Sequence, residues 1–174
     1  MTFEQLKNEF PEATLETWHV HSNGGGWVQN TATVAKSAYV GLNARVFGEA
    51  WVSDNARVID NALVCGNAEV TGHAWVFENA MVSGYAMVSG HAQVFENALV
   101  SGYALVSGHA QVFENARVFE NARVFENAGV FGNALIYGNA RVYGDAPVFE
   151  NARVSGDARV FGDDSVRGYD CIDK

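Results

Sequence analysis

Proline and cysteine are nearly absent from this chain, at two residues each in 174, and positive charge is sparse. Eleven Lys and Arg stand against 20 Asp and Glu, a formal charge of −9. That balance argues against electrostatic attraction to nucleic acid or to an anionic membrane surface. Cys65 and Cys171 fall about six coils apart in the repeat described below, so they cannot meet, because a disulfide holds its Cα atoms within about 7 Å. Two free thiols fit a reducing compartment. No apolar run reaches the ~18 residues of a membrane helix. The segment Met1-Thr2-Phe3-Glu4-Gln5-Leu6 has neither the basic start nor the apolar stretch of a secretion signal. The expectation is a cytoplasmic protein.

What the chain has in abundance is regularity. From Ala32, every sixth residue through Ala158 is alanine, 22 in succession. Two residues after each alanine stands a valine, from Val34 to Val166, replaced only by Ile136 and, at the end of the series, Ile172. Residues 31–174 form 24 hexads without insertion or deletion, with the consensus Asn-Ala-x-Val-x-Gly/Glu. A period of six fits neither 3.6 nor seven, which excludes a helix. Inside each hexad Ala and Val alternate with variable residues, the period-2 pattern of a short strand with one face buried.

The other two positions of each hexad read as a corner. One holds Gly 13 times and Asp or Glu eight times; the other holds Asn 12 times, with Asp, His or Tyr at most of the rest. Gly, Asn, Asp and His tolerate φ > 0, which a sharp corner demands. Three strands and three corners close a triangular coil of 18 residues. Twenty-four hexads then make about eight coils, a prism roughly 35–40 Å tall at the spacing between strands. The run Gly72-His73-Ala74-Trp75-Val76-Phe77-Glu78-Asn79 returns with one change from Gly90 and again from Gly108, so whole coils are duplicated. Each hexad buries one Val, worth ~1.5–3 kcal/mol. A solenoid held by neighbour contacts also needs protected ends. Residues 2–9 suit a short amphipathic helix stopped by Pro11. At the other end Asp164 and Asp170 replace alanine in the inward column, which opposes the stacking of further coils. The domains expected are a cap over 1–30 and a solenoid over 31–174.

The Val-x-x-Asn-Ala-x hexad at this density resembles the hexapeptide-repeat, left-handed β-helix superfamily over residues 31–174. The lead-in Asn23-Gly24-Gly25-Gly26-Trp27-Val28 looks like the Gly-Gly-Trp-Val that opens the solenoid in uncharacterised, acyltransferase-related members found in bacteria and their phages. The resemblance implies an all-β, single-stranded left-handed parallel β-helix with a short N-terminal helical cap. The left hand rests on the resemblance alone, since parallel crossovers generally favour the right. The resemblance also implies a trimer as the favoured homo-oligomer over a dimer. Acyltransferases of this superfamily use a His, often on a projecting loop, and bind the acyl donor between subunits. No hexad here carries an inserted loop, and the fold does not by itself bring the function. The reading therefore leans away from an enzyme and expects no cofactor.

Function is then sought on the outward positions. One face carries Trp75 and a ladder of Phe77, Phe95, Phe113, Phe131 and Phe149, which suits both self-stacking and an interface. A second carries Leu63, Met81, Leu99 and Leu135 beside Cys65, Ser83, Ser101 and Tyr137. A third carries Trp51, Met87 and Leu105 beside Ser53, Ser89 and Ser107. The interface candidates are the five phenylalanines with Trp75, Met81, Leu99, Met87 and Leu105. Glu78, Glu96, Glu114 and Glu150 form an acidic edge, read as a solvated border. Arg123, Arg141 and Arg159 form a basic column, with Arg117 and Arg153 on another face, and pairing with Glu120 and Glu126 is expected. His73, His91 and His109 stack at one corner as αL-tolerant residues copied with their coils, and Tyr85 and Tyr103 take the same explanation. No metal site is expected. Trp18, His19, His21 and Trp27 surround a glycine run that lacks a phosphate-loop pattern and reads as the joint between cap and first coil. The leading expectation is a non-enzymatic structural or protein-binding solenoid that self-associates. The alternatives are a phage-type inhibitor of a host protein and an acyltransferase-like enzyme, with the three histidines as its candidate bases.

Overall fold

The protein's structure, a computed structural model, describes residues 1–173. It is a parallel β-solenoid whose three faces are sheets of mostly two-residue strands. The seven-stranded phenylalanine face runs from Tyr39–Val40 to Pro147–Val148, and the eight-stranded mixed face from Thr33–Val34 to Arg159–Val160. The ten-stranded leucine face runs from Trp18–Val20 through Trp27–Gln29 to Cys171–Asp173. In register, each residue of a coil pairs with the residue 18 further on, as Trp75 with Gln93 and Val76 with Val94.

The alternation of the hexad is the alternation of burial. Ala92 and Val94 are fully buried, while Gln93 and Phe95 face outward, and the same holds from Ala38 to Ala158. Every coil hands its backbone donors to the next, as in Gln93 N–H to Ala110 C=O at 2.9 Å and Phe95 N–H to Val112 C=O at 3.0 Å. The strands are short because the corner returns every six residues. At most corners the alanine N–H closes a turn on the carbonyl three residues back, as Ala92 does on Ser89 at 3.3 Å.

The conformational demand of that turn falls on one corner position and not the other. All 13 glycines of the Gly/Glu column have positive φ, and so do Asp54, Asp60, Glu78, Glu96, Glu114, Glu120, Glu126 and Glu150, at φ 56–61°. The neighbouring Asn, His and Tyr have no positive φ. This corrects the expectation for His73, His91 and His109, which do not sit there through αL tolerance. A left-handed conformation costs an L-residue ~1–2 kcal/mol. Four of the eight acids give something back: Asp54, Asp60, Glu120 and Glu126 each accept the N–H of the corner one coil on, at 3.0, 3.3, 2.8 and 2.8 Å. At the adjacent position Asn61, Asn79, Asn97 and Asn115 form an amide ladder, each Nδ2 donating to the next Oδ1 at 3.2–3.4 Å.

At several glycine corners the next coil lies so close that an added Cβ would crowd its backbone. A Cβ on Gly132, at φ +73°, would lie 2.6 Å from the Glu150 backbone nitrogen. Gly132→Ala is therefore expected to cost about 2 kcal/mol, from the left-handed strain plus a coil displacement. The midpoint of chemical denaturation measures it, and an unchanged midpoint would show that the corner relaxes freely.

The cap leans on the side of the solenoid. Helix α1 (Phe3–Glu9) opens with a capping box between Thr2 and Gln5, as a Thr-x-x-Gln start should. Its buried Leu6 packs with Ala13, Trp18 and Trp27 against Phe3, Phe10 and Phe47, and Phe47 is an outward residue of the leucine face. Arg45, also on that face, is buried beneath α1 and holds Glu9 at 2.9 Å. The strand Trp18–Val20 pairs antiparallel with Trp27–Gln29. The segment 23–26 lies along the first strand of the phenylalanine face, with Gly26 N–H to Val40 C=O at 2.8 Å and Val40 N–H to Asn23 C=O at 3.0 Å. At the far end Asp164 and Asp170 are exposed where alanine had been buried.

Candidate functional site

Unbroken spacing turns every outward residue into a rung of a ladder, so what the surface can do is decided by columns. On the phenylalanine face, Phe77, Phe95, Phe113, Phe131 and Phe149 stack with centroids 4.8–5.1 Å apart and planes within 8°. All five are half-buried. Their ring faces are spent on one another, and only ring edges are left outward. Trp75 stands at the foot of this ladder, edge-on to Phe77. The Arg57 guanidinium is held between Trp75 and Tyr39, at 4.7 and 5.0 Å from the two ring centroids. Of the two readings given to the ladder, self-stacking is the one visible in its geometry.

On the leucine face Leu63, Met81 and Leu99 follow one another in register and are half-buried, as is Leu135. Cys65 sits beside them, and burial pushes its thiol above the usual cysteine range. It stays protonated near neutrality and makes a poor nucleophile.

The mixed face keeps the most large apolar side chains exposed, Trp51, Met87 and Phe161. Its first outward column reads Trp51, Glu69, Met87, Leu105, Arg123, Arg141 and Arg159 in continuous register. Trp51 is 49 % exposed and Met87 38 %, and at the adjoining corner Tyr85 and Tyr103 are 57 % and 65 % exposed. The second column begins with small residues, Ser53, Thr71, Ser89 and Ser107, and ends with Phe125, Tyr143 and Phe161, whose rings stack at 4.9 and 5.5 Å. The tyrosines also stack, at 5.0 Å. Sequence reasoning passed over them because a corner tyrosine looks like one more turn residue. The signal it had was their place next to Met87 and Leu105.

The charged columns differ from expectation in one respect. Among the described residues the ion pair is Arg45 with Glu9, and Arg123, Arg141 and Arg159 do not pair with Glu120 or Glu126. Those two carboxylates are turned to the backbone of the next coil, accepting from Gly138 and Gly144. The basic column is thus exposed and, among the described residues, has no carboxylate paired with it. Glu78, Glu96, Glu114 and Glu150 occupy one corner column, interrupted by Gly132.

His73, His91 and His109 stack with centroids 5.0 Å apart and planes within 5°. The lone pairs of imidazole lie in its plane, so three parallel rings cannot aim nitrogens at one cation at ~2.0–2.1 Å. Among the described residues no three or more His, Cys, Asp or Glu side chains are grouped to hold a metal ion. None of their helices is long and apolar enough to cross a membrane. The glycine run serves the joint: a Cβ on Gly24 or Gly26 would fall 2.3 Å from a carbonyl oxygen of Val40 or Gly41. His21 is buried there, its Nε2 3.1 Å from the Ala38 carbonyl.

A family description, the YdcK beta-solenoid repeat, matches the chain at residues 50–66, 134–148 and 152–169. All three segments lie in the hexad array. The chain is a β-solenoid repeat protein. No curated protein matches it. As a solenoid of this kind it offers three flat walls and three ridges, and of these the mixed face combines exposed aromatic anchors with both signs of charge.

Proposed function

We propose that the protein is a non-enzymatic scaffold that acts by association, presenting rigid outward faces to copies of itself. The observation that carries this reading is the exposure of Trp51, Met87, Tyr85 and Tyr103 on one wall and its ridge. Exposed apolar side chains gathered on one wall mark an interaction site, and Tyr and Trp are the residues that anchor interfaces. The column beside Trp51 and Met87 is Ser53, Thr71, Ser89 and Ser107, small enough to let a second surface approach. The rigidity comes from the continuous ladder, so little side-chain or loop freedom is lost on docking. The Phe ladder and the leucine wall, with Met81 and Leu99, supply further docking edges in this reading. The hexapeptide-repeat resemblance supports association too, since the enzymes of that superfamily are oligomers.

Light scattering on the purified chain tests it, with an expected mass of at least two protomers at micromolar concentration. Met87→Ser and Tyr103→Ser remove two anchors without touching the buried columns. Each is expected to weaken association about tenfold, the effect of losing an interface anchor worth ~1.4 kcal/mol. A protein that stays monomeric at every concentration would overturn the proposal.

A further inference from the structure

The mixed face carries a pattern that the other two lack: its outward columns are their own complement when read backwards. Take a two-fold axis lying in this face, parallel to its strands, between Met87 and Leu105. Rotation about it brings a second copy face to face, keeps each column opposite itself and reverses the order of coils. Met87 then meets Leu105, and one step outward Glu69 meets Arg123, opposite charges at the same height. A further step sets Trp51 against Arg141, an aromatic face against a guanidinium. In the neighbouring column the same axis puts Thr71 opposite Phe125 and Ser53 opposite Tyr143, small residues against the rings that need room.

At the ridge, that operation brings Tyr85 against Tyr103 of the other copy. The geometry points to an isologous, antiparallel dimer of two solenoids joined through this face, with Met87, Leu105, Tyr85 and Tyr103 at its centre and the Glu69–Arg123 pair formed twice across it. This inference rests on the self-association proposed above and names its face, its register and its symmetry.

Three observations favour a second copy over an unrelated protein. The first is that apolar, charged and size complementarity all follow from one axis, and a surface made for a stranger has no reason to match itself. The second is that the basic column has no carboxylate partner among the described residues of its own chain. Within one chain Glu69 and Arg123 lie three coils apart, about 14 Å at the strand spacing, out of contact. The third is exposure: Glu69, Arg123 and Arg141 are all exposed, with Trp51 beside Glu69 in register. Two copies related in this way form a closed pair, since an isologous interface uses up the patch on both partners.

Charge reversal tests the register. Arg123→Glu sets a carboxylate against Glu69 of the other copy at both symmetric contacts, and Glu69→Arg sets a guanidinium against Arg123 at both. Each single change is expected to raise the dimer dissociation constant about tenfold or more, because like charges opposed across an interface are strongly disfavoured. The double variant Glu69→Arg with Arg123→Glu restores both pairs with their signs exchanged and should return within about threefold of the original. Sedimentation equilibrium reads all four proteins, and far-ultraviolet circular dichroism confirms that each keeps its solenoid. A dimer indifferent to both single changes, or a double variant as weak as the singles, overturns the proposed face while leaving self-association standing. A trimer overturns the two-fold, and a monomer at all concentrations removes both proposals.

Discussion

Val94→Asp should remove several coils from the cooperative structure, at a cost of about 5 kcal/mol. Val94 is fully buried, between Val76 of the preceding coil and Val112 of the next. The substitution forfeits the ~1.5–3 kcal/mol of a buried valine and adds a carboxylate with no partner, itself worth ~3–5 kcal/mol when buried. Protonation limits the damage, because a buried carboxyl is driven to its neutral form. The folded pKa of the new group is therefore raised above the unfolded ~3.9. The folded state then binds the extra proton, so the penalty is smallest below about pH 4 and grows as pH rises from there towards the folded pKa. Thermal melts at neutral and acid pH measure both statements. Hydrogen exchange should show the loss centred on the coils around residue 94 and fading along the axis, since a solenoid is held by nearest-neighbour contacts. Gln93→Asp, one residue away on the outward side, is the control and should change stability by no more than about 0.5 kcal/mol. Equal effects at the two positions would contradict the inward assignment.

That contrast between adjacent residues is why so much of the fold could be read before any coordinates. Alternation with period 2 inside a repeat of six admits one arrangement of inside and outside, and 22 alanines repeat the statement without a contradiction. The helix start was legible for a local reason as well, because Thr2 and Gln5 form their capping box within one turn. The corner was only half legible. Two consecutive positions both held turn-tolerant residues, and composition alone could not say which bears the positive φ. The structure gives it to the Gly/Glu column, where glutamate is the less expected occupant. At Glu120 and Glu126 the compensation is a bond to a backbone N–H 18 residues away, a contact fixed by the stacking of coils and invisible to a local reading.

The same long-range contacts decided the charges. Glu120 and Glu126 seemed available to the arginines because they are near in sequence, but a side chain already accepting a backbone hydrogen bond at 2.8 Å is turned elsewhere. The surface ranking shifted for a related reason. Five phenylalanines at coil spacing look like a large apolar patch, yet stacking at 4.8–5.1 Å hides their faces. Trp51, Tyr85 and Tyr103 drew less notice and keep far more of their surface open. Where α1 rests was not legible at all. Its buried side is completed by Phe47 and Arg45, two outward residues of the solenoid that the repeat pattern treats like any other.

Gly26→Ala should detach that cap and leave the solenoid standing. A Cβ at residue 26 would lie 2.3 Å from the Gly41 carbonyl oxygen and 2.6 Å from Cγ1 of Val40. Both neighbours belong to the first coils, whose backbone is pinned by the coils beyond, so the lead-in must move instead. Lifting it breaks the hydrogen bonds Gly26 N–H to Val40 C=O and His21 N–H to Gly26 C=O, each 2.8 Å. It also unseats Trp27, against which Phe3 packs at 5.5 Å. Forced overpacking costs ~1–3 kcal/mol where neighbours can yield, and with backbone on one side the expected loss for the cap is about 3 kcal/mol or more. The melt should split in two. An early transition would appear in the fluorescence of Trp18 and Trp27, followed by the later loss of the solenoid's circular dichroism at its original temperature. Gly25→Ala separates space from conformation, because its Cβ would meet Leu42 Cδ2 at 2.9 Å, the end of a flexible side chain. That variant bears chiefly the left-handed strain of φ +79°, ~1–2 kcal/mol, and should shift the early transition less. A single unchanged transition in Gly26→Ala would mean that the cap is seated by its aromatic cluster alone, with the glycine run merely passing by.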